Sequence, residues 1–332
     1  MPHDSFRIRD FTTQAGIRLD VDLAYVTRGT LAPTRDNVVL VLTAFAGQHP
    51  DAAILYEAAD DLDLSSHFVV VVNLLGNGAS SSPSNLAAPF DGPRFPHFTV
   101  HDNVTCQHRL VTEHLGIERL RLVTGFSMGG LQAFEWGCSH ASMVDAILPV
   151  CGAARVSPHN RLFLDGVKAA LTADAAFADG AYSAPPEVGL RAFSTVYAGW
   201  MFSQAFFREE LYRQLGASSV DDVITLAQGV FMRRDANDLL AMLWTWQHAD
   251  ISANARFAGD FDAALAAITC RAIVMPSETD LYFTVEDNRR EVARMPNAEL
   301  RPIASKFGHV AGGGLDPAAT AVIHGAITEL LA

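Results

Sequence analysis

Leu120-Arg121-Leu122-Val123-Thr124-Gly125-Phe126-Ser127-Met128-Gly129-Gly130-Leu131 is the stretch whose reading decides the fold. Residues 120–123 are short, apolar and partly β-branched, which suits a buried strand. From Met128 onward, Leu131, Phe134 and Cys138 recur at helical spacing and form the stripe of a helix with one face on a core. The turn between them is Gly-Phe-Ser-Met-Gly, a G-x-S-x-G elbow. Such a turn lifts the serine above the sheet edge, and its glycines let strand and helix approach closely. The N-terminal N–H groups of the helix then face any oxyanion formed beside Ser127.

The surrounding chain alternates strand-like and helix-like segments. Arg18–Val26 reads as an edge strand. Val38–Leu42 and Phe68–Val72 are unbroken apolar runs, as expected of strands covered on both faces, and Leu120–Val123 and Ala146–Val150 continue the series. Helices are expected near Ala52–Asp60, Thr99–Leu115 and Met128–Ser139. This alternation implies a mostly parallel central sheet with helices on both faces, an α/β fold. From Arg155 to Gly259 no strand is apparent, and the segment is helix-like and rich in aromatic residues. We read it as an inserted helical lid, which divides the chain into core residues 1–154, lid 155–259 and core 260–332. The sheet resumes at Arg271–Met275 and Ala298–Pro302, and a helix near Pro317–Leu330 closes the chain.

Composition narrows the function classes. The formal charge of −13, with lysine only at positions 168 and 306, argues against nucleic acid and anionic membranes as partners. No apolar run approaches the roughly 20 residues of a membrane span. The first residues lack the basic-then-apolar pattern of a signal peptide, so a cytoplasmic location is expected. Cys106, Cys138, Cys151 and Cys270 show no C-x-x-C spacing and read as buried free thiols. His97 and His101 stand one helical turn apart, but no third metal ligand is apparent, and neither metal nor cofactor is expected.

In an open α/β sheet the reactive groups gather at the C-terminal ends of the strands. After the 271–275 strand comes Pro276-Ser277-Glu278-Thr279-Asp280, and after the 298–302 strand comes Lys306-Phe307-Gly308-His309. The order Ser127, Asp280, His309 is that of α/β-hydrolases. Glu278 and Asp287 compete with Asp280 as the acid, and the chain holds 12 histidines, so His309 is selected by its position alone. An oxyanion hole needs two N–H donors. Met128 follows the nucleophile, and the loop Thr43–Gly47 supplies the second, with Phe45 as the candidate.

These residues resemble the homoserine O-acetyltransferase family of α/β-hydrolases. The likeness spans nearly the whole chain and includes Gly125–Trp136, Phe98–Asp102, His114–Leu120 and Asn73–Gly76. It implies a serine acyl-enzyme, a helical lid, and a homodimer formed through the lid helices. It also exposes departures. Val310 follows the histidine where family members that bind homoserine carry an aspartate for the substrate ammonium. Ser194 stands where an arginine pairs with the substrate carboxylate, Met201 replaces a tyrosine, and Ala46 stands where a threonine is usual. A buried zwitterion without its partners forfeits about 2–5 kcal/mol per group. Homoserine is therefore excluded. The pocket, walled by Trp200, Met201 and Val310, is apolar, and Tyr197-Ala198-Gly199-Trp200 and Leu281-Tyr282-Phe283 are similar to the branch that hydrolyses short-chain alkyl acetates. The expected activity is a serine carboxylesterase acting on small acyl esters. The alternative is an acetyl-CoA-dependent O-acetyltransferase acting on another alcohol.

Overall fold

Two runs without a polar residue, β3 (Val38–Leu42) and β4 (Phe68–Val72), pair in parallel near the middle of one eight-stranded sheet. The computed structural model describes residues 2–57 and 64–332. The other strands are β1 (Asp4–Thr12), β2 (Arg18–Arg28), β5 (Leu122–Phe126), β6 (Ala146–Val150), β7 (Arg271–Val274) and β8 (Ala298–Leu300), and the spatial order is β1-β2-β4-β3-β5-β6-β7-β8. Only β2 runs against its neighbours, β1 and β4; every other pair is parallel.

The lack of polar residues in the central strands follows from burial on both faces. Along β3, Val38, Leu40 and Leu42 join one core cluster while Val39 and Val41 join the other. The first face is covered by α1 (Val100–Arg109) and α2 (Met128–Ser139), through Val104, Leu131 and Phe134. The final helix packs on the opposite face through Ile323 and Ile327. Between β6 and β7 the chain forms α3 (Pro158–Thr172), α4 (Glu187–Met201), α5 (Gln204–Arg208), α6 (Val220–Phe231), α7 (Ala236–Gln247) and α8 (Phe261–Ala266). α9 (Val285–Val292) follows β7, and α10 (Pro317–Leu331) is that final helix.

Three expectations are corrected. The edge of the sheet is β1, so the strand beginning at Arg18 lies one place inside it. β1 escapes a period-two reading because its register slips between Ile8 and Phe11, where Asp10 takes φ 53°. β5 begins at Leu122 and runs up to Phe126, the residue before the serine. The helix expected near 52–60 is a short, tight turn at His49–Leu55, and residues 58–60 of that expectation lie outside the described residues.

The segment between β6 and α8 leaves and re-enters the core through a narrow neck. Arg155 and Asp250 form an antiparallel bridge, and Val156 N–H and Ile251 N–H donate across it to the Ala249 and Ala154 carbonyls. Glu291 of α9 braces this neck from below. Its Oε1 accepts from Ala154 N–H at 2.9 Å, and its Oε2 accepts from Asn288 Nδ2, which also donates to the Gly152 carbonyl. Burial pushes the Glu291 carboxyl up to about 8. A carboxyl raised in the folded state gives stability that is complete in acid and is lost as pH rises through that value. Wild-type Tm should therefore fall more between pH 6 and pH 9 than that of Glu291→Gln; parallel Tm profiles for the two proteins would contradict this account of the neck.

Candidate active site

Phe126 ends β5 and Met128 begins α2, leaving Ser127 alone on the turn at φ 58° and ψ −120°. An L-residue with positive φ is strained and is held there only by its surroundings. Those surroundings are two close approaches. A Cβ on Gly125 would stand 2.4 Å from the Gly129 backbone, and one on Gly129 would stand 2.3 Å from the Leu42 carbonyl oxygen. The glycines are required because the start of α2 presses against the ends of both β5 and β3. Ser127 N–H donates to the Val150 carbonyl, and Gly130 and Leu131 N–H groups both return to the Ser127 carbonyl.

His309 and Asp280 arrive from the strand ends to the other side. Asp280 Oδ2 accepts from His309 Nδ1 at 2.7 Å, and His309 Nε2 lies 2.9 Å from Ser127 Oγ. All three residues are buried. The other carboxylate oxygen of Asp280 accepts from Tyr282 N–H at 2.7 Å and Phe283 N–H at 3.3 Å, so the acid is fixed at both ends. The acid loop and the histidine loop are tied together by Thr279, whose Oγ1 donates to the Ser305 carbonyl and accepts from Gly308 N–H. This arrangement can pass a proton from the hydroxyl to Nε2 while the carboxylate holds the imidazole.

The rival acids lie elsewhere: Glu278 is exposed, and Asp287 bonds Thr284 at the start of α9. Of the paired histidines, His97 stacks on Trp244 and His101 Nδ1 meets the buried carboxylate of Glu135. Cys151 Sγ, Asp280 and His309 are the one trio of metal-type donors grouped among the described residues. Two of the three face each other in the 2.7 Å contact, and burial with the nearby Asp280 holds the Cys151 thiol well above its ordinary pKa.

Met128 is the first residue of α2, and its N–H has no intrahelical acceptor. The loop after β3 lies beside it, because Gln132 Nε2 donates both to the Thr43 carbonyl and to the Met128 carbonyl. In that loop Gly47 N–H closes a turn onto the Ala44 carbonyl, with Ala46 at φ 56°. Neither the Phe45 nor the Met128 N–H donates to an acceptor among the described residues.

The walls are aromatic. The His309 ring is flanked by Phe126, Tyr282 and Phe283 at centroid distances of 4.8, 4.7 and 5.7 Å. Phe45 stacks on Tyr197 and also meets Trp246. Trp200 packs on Phe163 at the end of α4. Met201 is half-buried and its carbonyl faces Gly308, while Val310 sits buried in the second core cluster with Phe202 and Phe307. Ser194 turns its hydroxyl back to the Leu190 carbonyl of its own helix at 2.7 Å. Among the described residues, no arginine ion pair includes an acid that touches Ser127 or His309. Sequence reasoning missed Phe163 and the placement of Cys151; the aromatic residue at 163 follows the helical spacing of α3, and nothing signalled the thiol.

The helical segment grips the histidine loop directly. Ser203 Oγ donates to the Lys306 carbonyl, and Lys306 Nζ pairs with Glu209. Gly308 takes φ 71°, and a Cβ there would stand 2.6 Å from Ser203 N.

Residues 37–305 match the family model described as the alpha/beta hydrolase fold. The chain is 36% identical over 302 residues to a probable esterase of Corynebacterium glutamicum, covering 90% of this chain and 86% of that protein. It is 35% identical over 313 residues to the ethyl acetate hydrolase of Pseudomonas veronii, covering 93% and 89%. The solved structure of an acetylester hydrolase from Corynebacterium glutamicum superimposes with a TM-score of 0.95 at 33% identity, over 99% of this chain and 96% of that one. The homoserine O-acetyltransferase of Chlorobium luteolum is more distant, at 29% over 322 residues, 92% of this chain and 88% of that protein. The chain thus belongs to the alpha/beta hydrolase fold family, in the part where esterases and homoserine O-acetyltransferases are related. It is a hydrolase enzyme.

Replacing Gly308 by alanine combines a strained backbone of about 1–2 kcal/mol with a backbone clash beside His309. Gly308→Ala should lower Tm and reduce ester turnover by tenfold or more; wild-type values for both would show that the contact with Ser203 is not a constraint.

Proposed function

We propose that the protein is a serine carboxylesterase that hydrolyses short-chain, acetate-type esters through an acyl-Ser127 intermediate. The observation that carries this reading is the hydrogen-bonded chain Asp280–His309–Ser127 under aromatic walls. Its support is the absence, among the described residues, of an arginine–acid pair at the site, together with relatives named as esterase, ethyl acetate hydrolase and acetylester hydrolase. Ser127 Oγ bonds the ester carbonyl carbon while its proton passes to His309 Nε2. Met128 and Phe45 N–H groups hold the oxyanion. Nε2–H then protonates the departing alkoxide as the C–O bond breaks. Water repeats the sequence on the acyl-enzyme: it gives a proton to Nε2, its oxygen bonds the carbonyl carbon, and Ser127 Oγ leaves with the proton. Asp280 stays ionised throughout and holds the ring. No metal or cofactor enters these steps.

In this reading residues 155–259 form the lid, and Trp200, Met201 and Val310 line the alcohol pocket. The protein acts in the cytoplasm as a homodimer joined through lid helices. Three of those helices carry exposed apolar residues beside glycines with open space around them: Leu162 with Gly166, Val196 with Gly199, and Leu226 and Val230 with Gly229. A glycine inside an exposed helix costs about 1 kcal/mol relative to alanine, and close approach of a second helix gives it a use. Light scattering should report a dimer at micromolar concentration, and Leu226→Arg with Val230→Arg should shift it to monomer. A monomeric wild type would remove the dimer from the account.

The activity is tested with acetate, propionate and butyrate esters beside acetyl-CoA plus homoserine. Rapid hydrolysis of p-nitrophenyl acetate without an added alcohol is expected, and Ser127→Ala should abolish it while leaving Tm nearly unchanged. Turnover of acetyl-CoA only when an alcohol is present would favour the O-acetyltransferase instead.

A further inference from the structure

A thiol stands beside the two residues that work on Ser127. Cys151 is the first residue after β6, the strand between the elbow strand β5 and the acid strand β7, and it is fully buried. Its Sγ, an Asp280 carboxylate oxygen and a His309 ring nitrogen all lie within 4.8 Å of one another. The backbone fixes this placement. Cys151 N–H donates to the Met275 carbonyl at 2.9 Å, and the residue takes φ 46°, a strained conformation for an L-residue. The sulfur also meets the turn Gly308–Gly313 that carries His309, since a Cβ on Gly312 would stand 2.8 Å from it. The thiol is thus held against both the acid loop and the histidine turn.

The donors around Asp280 are divided unevenly. Oδ1 accepts from Tyr282 N–H and Phe283 N–H, whereas Oδ2 accepts from His309 Nδ1 alone among the described residues. Each further hydrogen bond to a carboxylate stabilises its charge and weakens its hold on the donors it already has. A thiol is a weak donor and a hydroxyl a strong one. Cys151 adds no hydrogen bond to those three, although a buried thiol of this protein can donate: Cys138 Sγ reaches the Ala264 carbonyl at 3.4 Å. A serine at position 151 would have nearly the same shape and would place an O–H beside the carboxylate.

We propose that Cys151 is a positioning residue of the triad: it fills the space beside Asp280 with a group that does not donate, and so leaves Oδ2 to His309. This rests on the esterase reading above and deepens it by naming a fourth residue of the same site. A hydroxyl in that place would bond the carboxylate and draw it from the imidazole. The imidazolium formed during proton transfer would then be less stabilised. Tyr197 and Tyr282, the other titratable groups packed around Asp280, are held above their ordinary pKa by burial, and Lys306 of the histidine loop pairs with Glu209 at the surface. The acidic limb of the rate profile therefore reports His309.

The test is the pH dependence of kcat and kcat/KM for p-nitrophenyl acetate in wild type, Cys151→Ser and Cys151→Ala. The serine variant should lower the kinetic pKa of His309 by about 0.5–1 and kcat about fivefold, the effect of one neutral hydrogen bond, with KM nearly unchanged. The alanine variant carries no donor, and the gap left by one sulfur atom is smaller than a water's share of the liquid, about 30 Å³, so the wild-type kinetic pKa should persist. A wild-type pKa in Cys151→Ser, or an equal fall in Cys151→Ala, would overturn the proposal while leaving the esterase reading intact. No ester hydrolysis by wild type would instead remove the esterase reading itself. Proton NMR then decides without turnover: the His309 Nδ1–H signal should move upfield in Cys151→Ser and stay in place in Cys151→Ala, and an unmoved signal in the serine variant would refute the role. Should Cys151→Ser not fold, Cys151→Ala stands alone, and a shifted kinetic pKa there is the contrary result.

Discussion

A 2.9 Å contact between His309 Nε2 and Ser127 Oγ joins residues 182 positions apart, and the molecule is arranged around keeping it. On the serine side it depends on a residue held at φ 58°, which the glycine contacts at 125 and 129 make possible. On the histidine side it depends on a loop whose Gly308 has no room for a side chain and whose Lys306 carbonyl is held by Ser203. The strand ends set the distance between the two sides. The elbow follows β5 and the acid loop follows β7, so only β6 separates the strands that carry them.

The walls explain how such a site acts on small uncharged molecules. Every ring flanking His309 is carbocyclic, and Ser194 turns its hydroxyl to the Leu190 carbonyl of its own helix. Low polarity also strengthens the few polar contacts that remain, those of Asp280 above all, because each acts without competition from water. An ester has no formal charge to desolvate, so it enters at little expense.

Much of this was legible in the residues themselves. Ser127 announced itself through a strand–turn–helix context, and Asp280 and His309 followed from the rule that strand ends carry the chemistry. β1 was hidden because a bulge at Asp10 breaks the alternation that marks a half-buried strand. Glu291 was hidden because Glu286, Asp287, Arg289 and Arg290 surround it with charge, the signature of a solvated helix, although its own side chain points to the core. Cys151 was visible only as one of four scattered thiols. That its sulfur comes to lie beside Asp280 and His309 is a property of packing between the ends of β6 and β7 and the histidine turn, which no local pattern encodes.

The central claim is that Ser127 is the one nucleophile of this enzyme. Its most direct test is reaction of the folded protein with a fluorophosphonate, followed by peptide mass analysis and by measurement of residual hydrolysis of p-nitrophenyl acetate. The account predicts a single adduct, on Ser127, with activity lost in proportion to labelling. An adduct on another residue that tracks the loss of activity, or full hydrolysis by protein whose Ser127 is fully modified, would contradict it.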